Sequence, residues 1–436
     1  MTDTFRSVHL TNAWHGTSGG IAAFYRALFQ AADDRDHALS LVVPGETGGE
    51  ERVGRYGSLY SIRADRAPLN GHYRLLGPKH YLWPRSPIRR VLERVRPHLV
   101  GICDKYSLPY VGGLLRNRPR SPERPVVVGV SCERMDDNFL AYLGDSAVGR
   151  WFCRAYMKWI YFAQCDHHVA NSRHTAEELR QAARGHKVRR SVWIQPMGVD
   201  LSRLSPHHRD PSLRASVAHR AGGSEASVLL FYAGRLVPEK NLGLLAETLG
   251  ELRRRGTRDF RLILAGDGSE RERFAAQCEA AAPRRTFSLG HITDPQELAR
   301  LYASLDIFLH PNPREPFGIG PLEAMASGIP VVAPNTGGVT TYLDPSCGWP
   351  VPATPAAFAE AVTHVLGDEP SRESRLAEAR RVAERYSWNA VAGRYLDLER
   401  EIYRAAQESR SSVPPDFHST PGDFFGRESS TNDLRH

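Results

Sequence analysis

The chain has 436 residues, of which 41% are hydrophobic and 24% are charged. This length suits two domains, or three, at roughly 100–200 residues each, and the composition excludes wholesale disorder. No apolar run approaches the ~18 residues of a membrane-spanning helix, the first residues lack a signal-peptide pattern, and the six cysteines form no CxxC pair. We therefore expect a reduced, cytoplasmic protein without a zinc ribbon.

Short apolar runs alternate with helical patterns through the first half of the chain. The run 126–130 is apolar enough for a buried parallel strand. Such alternation predicts an α/β fold with a doubly wound parallel sheet. The predicted strands are 7–10, 38–43, 99–103, 126–130 and 166–170, and the predicted helices are 19–32, 91–96 and one that includes 177–179.

The alternation stops at 206–226, which is rich in Pro, Arg, His, Gly and Ser, and then restarts. We predict domains at 1–205 and 227–387, a linker at 206–226, a C-terminal crossover helix at 388–406 and a disordered tail at 407–436. In the second domain the predicted strands are 227–233, 260–265, 286–289, 306–310 and 331–333. The helices predicted there are 242–255, 271–281, 295–304, 320–327, 355–366 and 373–385. Ligands of paired doubly wound domains bind where the carboxyl ends of both sheets face each other.

The densest local motif is the stretch from Arg314 to Ala326, which reads REPFGIGPLEAMA. Glu315 falls in the loop after a predicted strand, and Glu323 lies in the helix that follows. Gly318 and Gly320 allow close approach of the backbone, and a helix start offers free N–H groups to anions. The two carboxylates could bind adjacent sugar hydroxyls; alternatively, both are solvated loop and helix charges.

Two further loops follow strands and precede helices. Arg235 and Lys240 lie in the loop after strand 227–233, where two cations suit a diphosphate, although a solvated surface loop has the same composition. Gly19 and Gly20 open a helix and could offer N–H groups to phosphate, although a plain tight turn would also account for them. The glycines match neither a GxGxxG fingerprint nor a P-loop.

Together these segments resemble glycosyltransferase family 4, whose members are retaining, use nucleotide sugars and have the GT-B fold of two Rossmann-like domains around a cleft. The resemblance is strongest over residues 225–345. It implies that Arg235 and Lys240 hold the donor diphosphate, that Glu315 lies near the donor sugar and the reacting centre, and that Glu323 binds the ribose hydroxyls. It further implies backbone contacts to the donor at Phe317, Gly318 and Ile319, a glycine loop near the phosphates at Gly19 and Gly20, and a cradle for the base at Gly290, His291 and Ile292.

The chain departs from the family pattern at one position. Many relatives carry a His after the strand that here ends at Val130, and Cys132 stands in its place. The resemblance therefore leaves the contact to the donor sugar open. Glu133, Arg134 and Asp136, and Asp104 after another strand, could bind sugar or acceptor; alternatively, Glu133 and Arg134 form an ion pair that closes a turn.

The resemblance implies transfer of a hexose from a UDP-glucose or GDP-mannose type of donor to a glycan, lipid or lipid-linked acceptor, with an α-glycosidic bond. In such enzymes the leaving diphosphate helps to deprotonate the acceptor, so positive charge matters more than a protein base. We expect no cofactor and no metal: the chain has no HExxH pattern, and the adjacent histidines 167–168 and 207–208 rarely face one ligand. A nucleotide-sugar epimerase or hydrolase on the same fold is the alternative.

The net charge of +8 lies entirely in the first half of the chain. Residues 1–200 hold 29 basic and 19 acidic side chains, whereas residues 201–436 hold 28 and 30. Two basic segments also carry aromatic residues, 74–96 and 150–162, which suits an anionic membrane surface. For the second segment we expect the aromatic side chains to be core. A non-enzymatic binder of nucleic acid is a weaker alternative, because the chain has no RRM, KH or zinc-finger signal and the paired glutamates would have no role.

Overall fold

The computed structural model describes residues 4–14, 19–67, 70–117, 124–185 and 191–411. Two α/β domains are present, each built on a parallel sheet. The predicted disordered tail falls mostly outside the described residues, and the predicted crossover helix is longer than expected, running from Trp388 to Ser411.

The N-terminal domain contains an eight-stranded sheet in the order β10-β9-β8-β7-β1-β2-β4-β3. All neighbouring pairs are parallel except β3 with β4. A separate two-stranded ribbon is formed by β5 and β6. The strands are β1 (Phe5–Thr11), β2 (His37–Gly45), β3 (Gly49–Val53), β4 (Gly57–Arg63), β5 (Arg66–Ala67), β6 (Asn70–Arg74), β7 (Leu99–Cys103), β8 (Val126–Ser131), β9 (His167–Ala170) and β10 (Val192–Ile194).

In the described part of this domain six α-helices accompany the sheet, and a π-helical stretch, Tyr156–Tyr161, continues the fifth of them. Burial of both faces explains why β7 and β8 read as continuous apolar runs, since every residue of both strands is buried. The helices are α1 (Gly19–Asp34), α2 (Pro87–Val95), α3 (Pro109–Arg116), α4 (Met135–Leu143), α5 (Ala147–Ala155) and α6 (Arg173–Ala183).

The C-terminal domain contains an all-parallel six-stranded sheet in the order β13-β12-β11-β14-β15-β16. Its strands are β11 (Val228–Ala233), β12 (Phe260–Ala265), β13 (Thr286–Gly290), β14 (Ile307–Leu309), β15 (Val331–Pro334) and β16 (Trp349–Val351). Its helices are α7 (Pro211–Arg220), α8 (Gly243–Arg255), α9 (Arg271–Ala281), α10 (Pro295–Ser304), α11 (Ile319–Ala326), α12 (Pro355–Gly367) and α13 (Glu369–Arg385).

The segment 206–226, predicted as a linker, contains helix α7 and is not an extended connection. Asp210 caps this helix by accepting a hydrogen bond from the Leu213 N–H at 3.0 Å, and Arg214 binds Asp306 at 2.7 Å. The segment lacks clear periodicity because only Val217 and Ala218 of the helix are buried. It is therefore a packed part of the C-terminal domain.

Helix α14 (Trp388–Ser411) returns from the C-terminal domain and packs on α1 of the N-terminal domain. The rings of Phe24 and Tyr395 meet edge to face with centroids 5.0 Å apart. Beneath them, Glu399 accepts from His9 Nε2 at 2.6 Å and lies 3.3 Å from His37 Nε2, with all three side chains buried. The helix thus ties the two domains together through core and ionic contacts. Among the described residues, no helix is long and apolar enough to cross a membrane.

Candidate functional site

A cavity of about 740 Å³ lies between the carboxyl ends of the two sheets. Its wall on the N-terminal side comes from the start of α1 and the loop between β8 and α4, and its wall on the C-terminal side from the loops after β11 and β14. The positions predicted from sequence that line it are Gly19, Gly20, Cys132, Glu133, Arg235, Lys240, Glu315, Phe317, Gly318 and Ile319.

Lys240 and Glu315 form an ion pair at the C-terminal wall of this cavity. Lys240 Nζ lies 3.0 and 2.9 Å from the two carboxylate oxygens, and Asn312 Nδ2 donates to Glu315 Oε2 at 3.0 Å. Burial raises the pKa of Glu315, but the charges of Lys240 and His310 outweigh it and lower the pKa to about 2. Glu315 is therefore a carboxylate throughout the neutral range and cannot serve as a proton donor there.

His310 is a further cavity residue, and the sequence analysis did not single it out. It is buried, and its Nε2 lies 3.8 Å from Glu315 Oε2. Burial lowers its pKa to about 4 despite the carboxylate, so the imidazole is neutral at pH 7. The signal that could have found it is its place directly after strand β14, where parallel sheets present ligand-binding residues.

Arg235 lies at the mouth of the cavity with a largely exposed side chain. Its Nη2 donates to Glu239 Oε1 at 2.9 Å, and the Tyr142 hydroxyl donates to Glu239 Oε2 at 2.5 Å. Tyr142 lies in the last turn of α4 on the opposite wall, so this chain of contacts joins the two domains. The Arg235 side chain can rotate toward the cavity, where an anionic ligand would replace the Glu239 carboxylate as its partner.

The start of α11 faces the same space with backbone N–H groups. Gly318, which precedes the helix, has φ +86, a conformation that favours glycine. Gly20 of the N-terminal domain comes so close that a Cβ there would lie 2.7 Å from Ile319 Cδ1. Gly318 thus suits its backbone conformation, and a side chain at Gly20 would press on Ile319 across the cleft, at a helix end that attracts anions.

Four of the predicted donor-binding residues lie outside the cavity lining. Glu323 is half-buried in α11, where its Oε2 accepts from the Tyr302 hydroxyl at 2.9 Å, and burial raises its pKa. Gly290 ends β13 at the edge of the sheet, and His291 and Ile292 follow it. Their roles with the ribose and the base remain predictions.

On the N-terminal wall, two of the predicted sugar or acceptor residues line the cavity, Cys132 and Glu133. Cys132 Sγ lies 3.9 Å from Cys103 Sγ, and the Glu133 side chain accepts from Asn138 at 2.9 Å. The ion pair predicted as an alternative for Arg134 forms with a different residue, Asp136, at 2.6 Å.

Asp104 caps a turn and does not line the cavity. Its Oδ1 accepts from the backbone N–H groups of Tyr106, Ser107 and Leu108. Arg134 and Asp136 also lie outside the lining, and the residues found there instead are Tyr106, Asp137, Asn138 and Tyr142.

Two family models match the chain, one on each domain. Residues 18–203 match Glycosyltransferase Family 4, and residues 219–382 match Glycosyl transferases group 1. A GDP-mannose-dependent alpha-mannosyltransferase of Mycolicibacterium smegmatis is 32% identical over 74% of this chain and 80% of its own length. The chain belongs to glycosyltransferase family 4. It is a nucleotide-sugar-dependent glycosyltransferase with the GT-B fold, and the prediction of fold and family is confirmed.

Other similarities extend over nearly the whole glycosyltransferase. A GDP-mannose-dependent alpha-(1-6)-phosphatidylinositol dimannoside mannosyltransferase of Mycobacterium tuberculosis is 29% identical over 90% of this chain and 95% of its own length. The solved structure of sucrose-phosphate synthase from Thermosynechococcus elongatus superposes with a TM-score of 0.69 at 18% identity, covering 92% of this chain and 100% of that one. The second likeness concerns the fold alone.

The described residues of this glycosyltransferase contain no group of three or more His, Cys, Asp or Glu side chains arranged to hold a metal ion. The sequence has one Asp-x-Asp tripeptide, Asp34 to Asp36, which lies at the end of α1 and outside the cavity lining. Metal independence remains a prediction for the assay described below.

Proposed function

We propose that the protein transfers mannose from GDP-mannose to a hydroxyl of a glycan or lipid-linked acceptor, with retention of configuration and without a metal ion. The choice of donor is supported by the two mannosyltransferase relatives, both of which are GDP-mannose-dependent. The acceptor class follows from the phosphatidylinositol-linked substrate of one of them. The enzyme works at the cytoplasmic face of a membrane in this proposal.

The observation that carries the proposal is the pairing of Lys240 with Glu315 between the two sheets, with Arg235 at the mouth. The two cations are separated by a short loop and face the N-terminus of α11. A diphosphate bound here would meet two positive side chains and a positive helix end. Because Lys240 is paired with Glu315 and Arg235 with Glu239, a ligand must compete with these carboxylates for the two cations, as a diphosphate can and a neutral sugar cannot.

The same arrangement suits a transfer in which the diphosphate is the base. The bond between the anomeric carbon and the diphosphate oxygen breaks, the acceptor oxygen bonds to the same face, and its proton passes to the departing diphosphate. Arg235 and Lys240 stabilise the charge that develops on the leaving group. Glu315 stays ionised beside the reacting centre, because its pKa is too low for proton transfer at neutral pH. Its role is to orient Lys240 through their ion pair.

A ligand screen followed by product analysis tests this proposal. A ligand that binds only the folded state raises the unfolding temperature by mass action, so GDP and GDP-mannose should raise it more than UDP, ADP and their sugars. Labelled GDP-mannose with a lipid-linked acceptor should then give an α-linked product. Turnover of the donor that is independent of any acceptor would indicate a hydrolase or epimerase, and a larger shift with UDP would overturn the choice of donor.

A further inference from the structure

Strongly exposed apolar side chains are concentrated on one part of the molecule. Among the described residues, every large hydrophobic side chain reported as exposed lies between positions 75 and 159 of the N-terminal domain. Six of them cluster at the end of α4, along α5 and in the π-helical stretch that follows. We call this cluster the aromatic ridge; its members are Tyr142, Leu143, Val148, Trp151, Phe152 and Trp159.

The ridge corrects the expectation that the aromatic residues of segment 150–162 are core. Tyr161 and Phe162 are indeed buried, but Trp151 is 69% exposed and Trp159 is 64% exposed. Exposed tryptophans are uncommon because each leaves a large apolar surface in water. Two of them within nine residues indicate a surface that is covered by something other than water.

Helix α5 has three distinct faces. Gly149 and Cys153 are buried against the domain. At 100° per residue, Val148, Trp151 and Phe152 point away from that side, so an apolar stripe runs along the solvent face. Contiguous exposed apolar patches of this kind mark sites of interaction with proteins or membranes.

The third face of α5 is cationic. Arg150 and Arg154 are four residues apart, and Lys158 continues the series one turn later. Arg150 pairs with Asp145, and Lys158 Nζ lies 4.8 Å from the ring centroid of Trp159. An apolar stripe with tryptophan, flanked by Arg and Lys, is the pattern of a helix that lies in the interface of an anionic bilayer.

The other basic segment, 74–96, is less suited to docking on a membrane, although the sequence analysis favoured it over 150–162. Three of its seven cations form ion pairs within the domain: Arg74 binds Glu46 at 2.6 Å, Lys79 binds Asp65, and Arg94 binds Glu50 at 2.6 Å. Tyr81 is buried, and Trp83 is the single exposed aromatic residue of this segment; it lies in the turn before α2 and not on a helix. The structure thus reverses the order of the two segments.

We propose that the aromatic ridge is a membrane-docking surface that inserts into the headgroup region of an anionic bilayer. The ridge adjoins the cleft, because Ala141 and Tyr142 at the end of α4 line the cavity. A bilayer seated on the ridge would therefore bring lipid headgroups to the N-terminal wall, where the acceptor is expected. The inference rests on the proposed function for its acceptor, but binding to the bilayer is measurable without it.

Sedimentation with vesicles tests the ridge directly. The full chain should sediment with vesicles of phosphatidylcholine and phosphatidylglycerol, less with phosphatidylcholine alone, and less as salt is added. The double variant Trp151→Ser, Trp159→Ser should bind the anionic vesicles about tenfold more weakly, since both side chains are exposed and their loss removes apolar contact with the bilayer. Trp83→Ser is the matched control, with a tryptophan that is 67% exposed on the other segment, and should bind as the parent does.

Separate measurements distinguish this inference from the proposed function. The shift in unfolding temperature with GDP reports on the donor site and should be equal in the parent and the double variant. Equal vesicle binding by the double variant, or no binding by the parent at low salt, would overturn the docking surface even if GDP binds. Self-association without lipid that the double variant abolishes would also overturn it, because the ridge would then be a contact between copies of the chain.

Discussion

At the scale of single residues, the electrostatics of the site depend most on the buried carboxylate of Glu315. It is buried, it neutralises Lys240, and it keeps its charge because cations outweigh desolvation. Glu315→Gln keeps the shape but leaves Lys240 without its carboxylate. We expect kcat/KM for transfer to fall by about 10²–10³, the range seen when one electrostatic group of a reacting centre is removed.

Initial rates with labelled donor check this expectation for Glu315. The matched control is Glu247→Gln, a glutamate on the exposed side of α8, which should leave the rate unchanged. A Glu315→Gln enzyme with full activity would show that the carboxylate serves only to hold Lys240 in the fold.

Arg235 offers a cleaner test of diphosphate binding, because its side chain is 61% exposed and its loss leaves no cavity. Arg235→Ala should weaken binding of GDP about 10- to 100-fold, as expected for loss of a charge-assisted contact of about 1.5–3 kcal/mol. Titration calorimetry measures the change. Arg271→Ala removes a comparably exposed arginine that pairs with an acid four residues away, and it should bind GDP normally.

The sequence was informative about residues whose role depends on their place after a strand. Arg235, Lys240 and Glu315 follow β11 and β14, and parallel sheets bring such positions together whatever the side-chain rotamers are. Asp104 follows a strand too, yet its carboxylate caps the turn that carries Tyr106. Whether a polar residue after a strand lines the cavity or caps a turn depends on the local direction of the chain. Composition does not encode that direction.

At the scale of secondary structure, periodicity predicted elements whose inner and outer faces differ. Strands β7 and β12 and helices α9 and α10 have the bounds expected from the sequence. The sequence analysis did not predict strand β3, because four of its five residues are exposed and no buried face marks it. The sequence analysis did not delimit helix α5, because its apolar residues lie on the solvent face as well as toward the core. The helix therefore lacks the contrast between one apolar and one polar face that marks most surface helices.

Helix α14 is held to the N-terminal domain by the buried Glu399 between His9 and His37. Removing one partner of a buried ionic cluster leaves the others uncompensated, so Glu399→Ala should lower the free energy of unfolding by about 3–5 kcal/mol. Urea denaturation measures the loss. Glu401→Ala, two residues away on the exposed side of the same helix, should change stability by less than about 0.5 kcal/mol.

The same cluster makes stability depend on pH in the acid range. Burial raises the pKa of Glu399, but the charge of His9 and hydrogen bonds from His37 and His9 outweigh it and lower the pKa to about 2. An unfolded Glu titrates near ~4.3, so the stabilisation is complete above that pH and is lost as the pH falls toward 2.

Glu399→Gln tests this sign, because an amide cannot titrate. The variant should lose the part of the acid dependence that lies between pH 4.5 and 2 in urea denaturation series, relative to the parent. An unchanged slope would mean that other carboxylates govern acid unfolding and that Glu399 contributes little to it.

At the scale of the whole molecule, the two domains divide the work by charge. The near-neutral C-terminal half supplies Arg235, Lys240 and Glu315, whereas the excess of basic side chains lies in the N-terminal half. The contacts across the cleft include polar ones, such as the hydrogen bond that Ser172 Oγ donates to the Pro316 carbonyl at 2.5 Å. Such contacts are exchanged readily when a ligand enters, and α14 keeps the two halves connected meanwhile.

The charge that the cleft supplies also predicts the response to metal removal. Arg235 and Lys240 line the cavity where the diphosphate is expected, and the N-terminus of α11 adds a partial positive charge. Transfer from GDP-mannose should therefore keep its full rate in excess chelator, whereas Arg235→Ala should lose it with or without added Mn²⁺. Initial rates in chelator, before and after Mn²⁺ is restored, measure this. Activity that disappears in chelator and returns with Mn²⁺ would show that a metal ion, rather than these side chains alone, stabilises the leaving diphosphate.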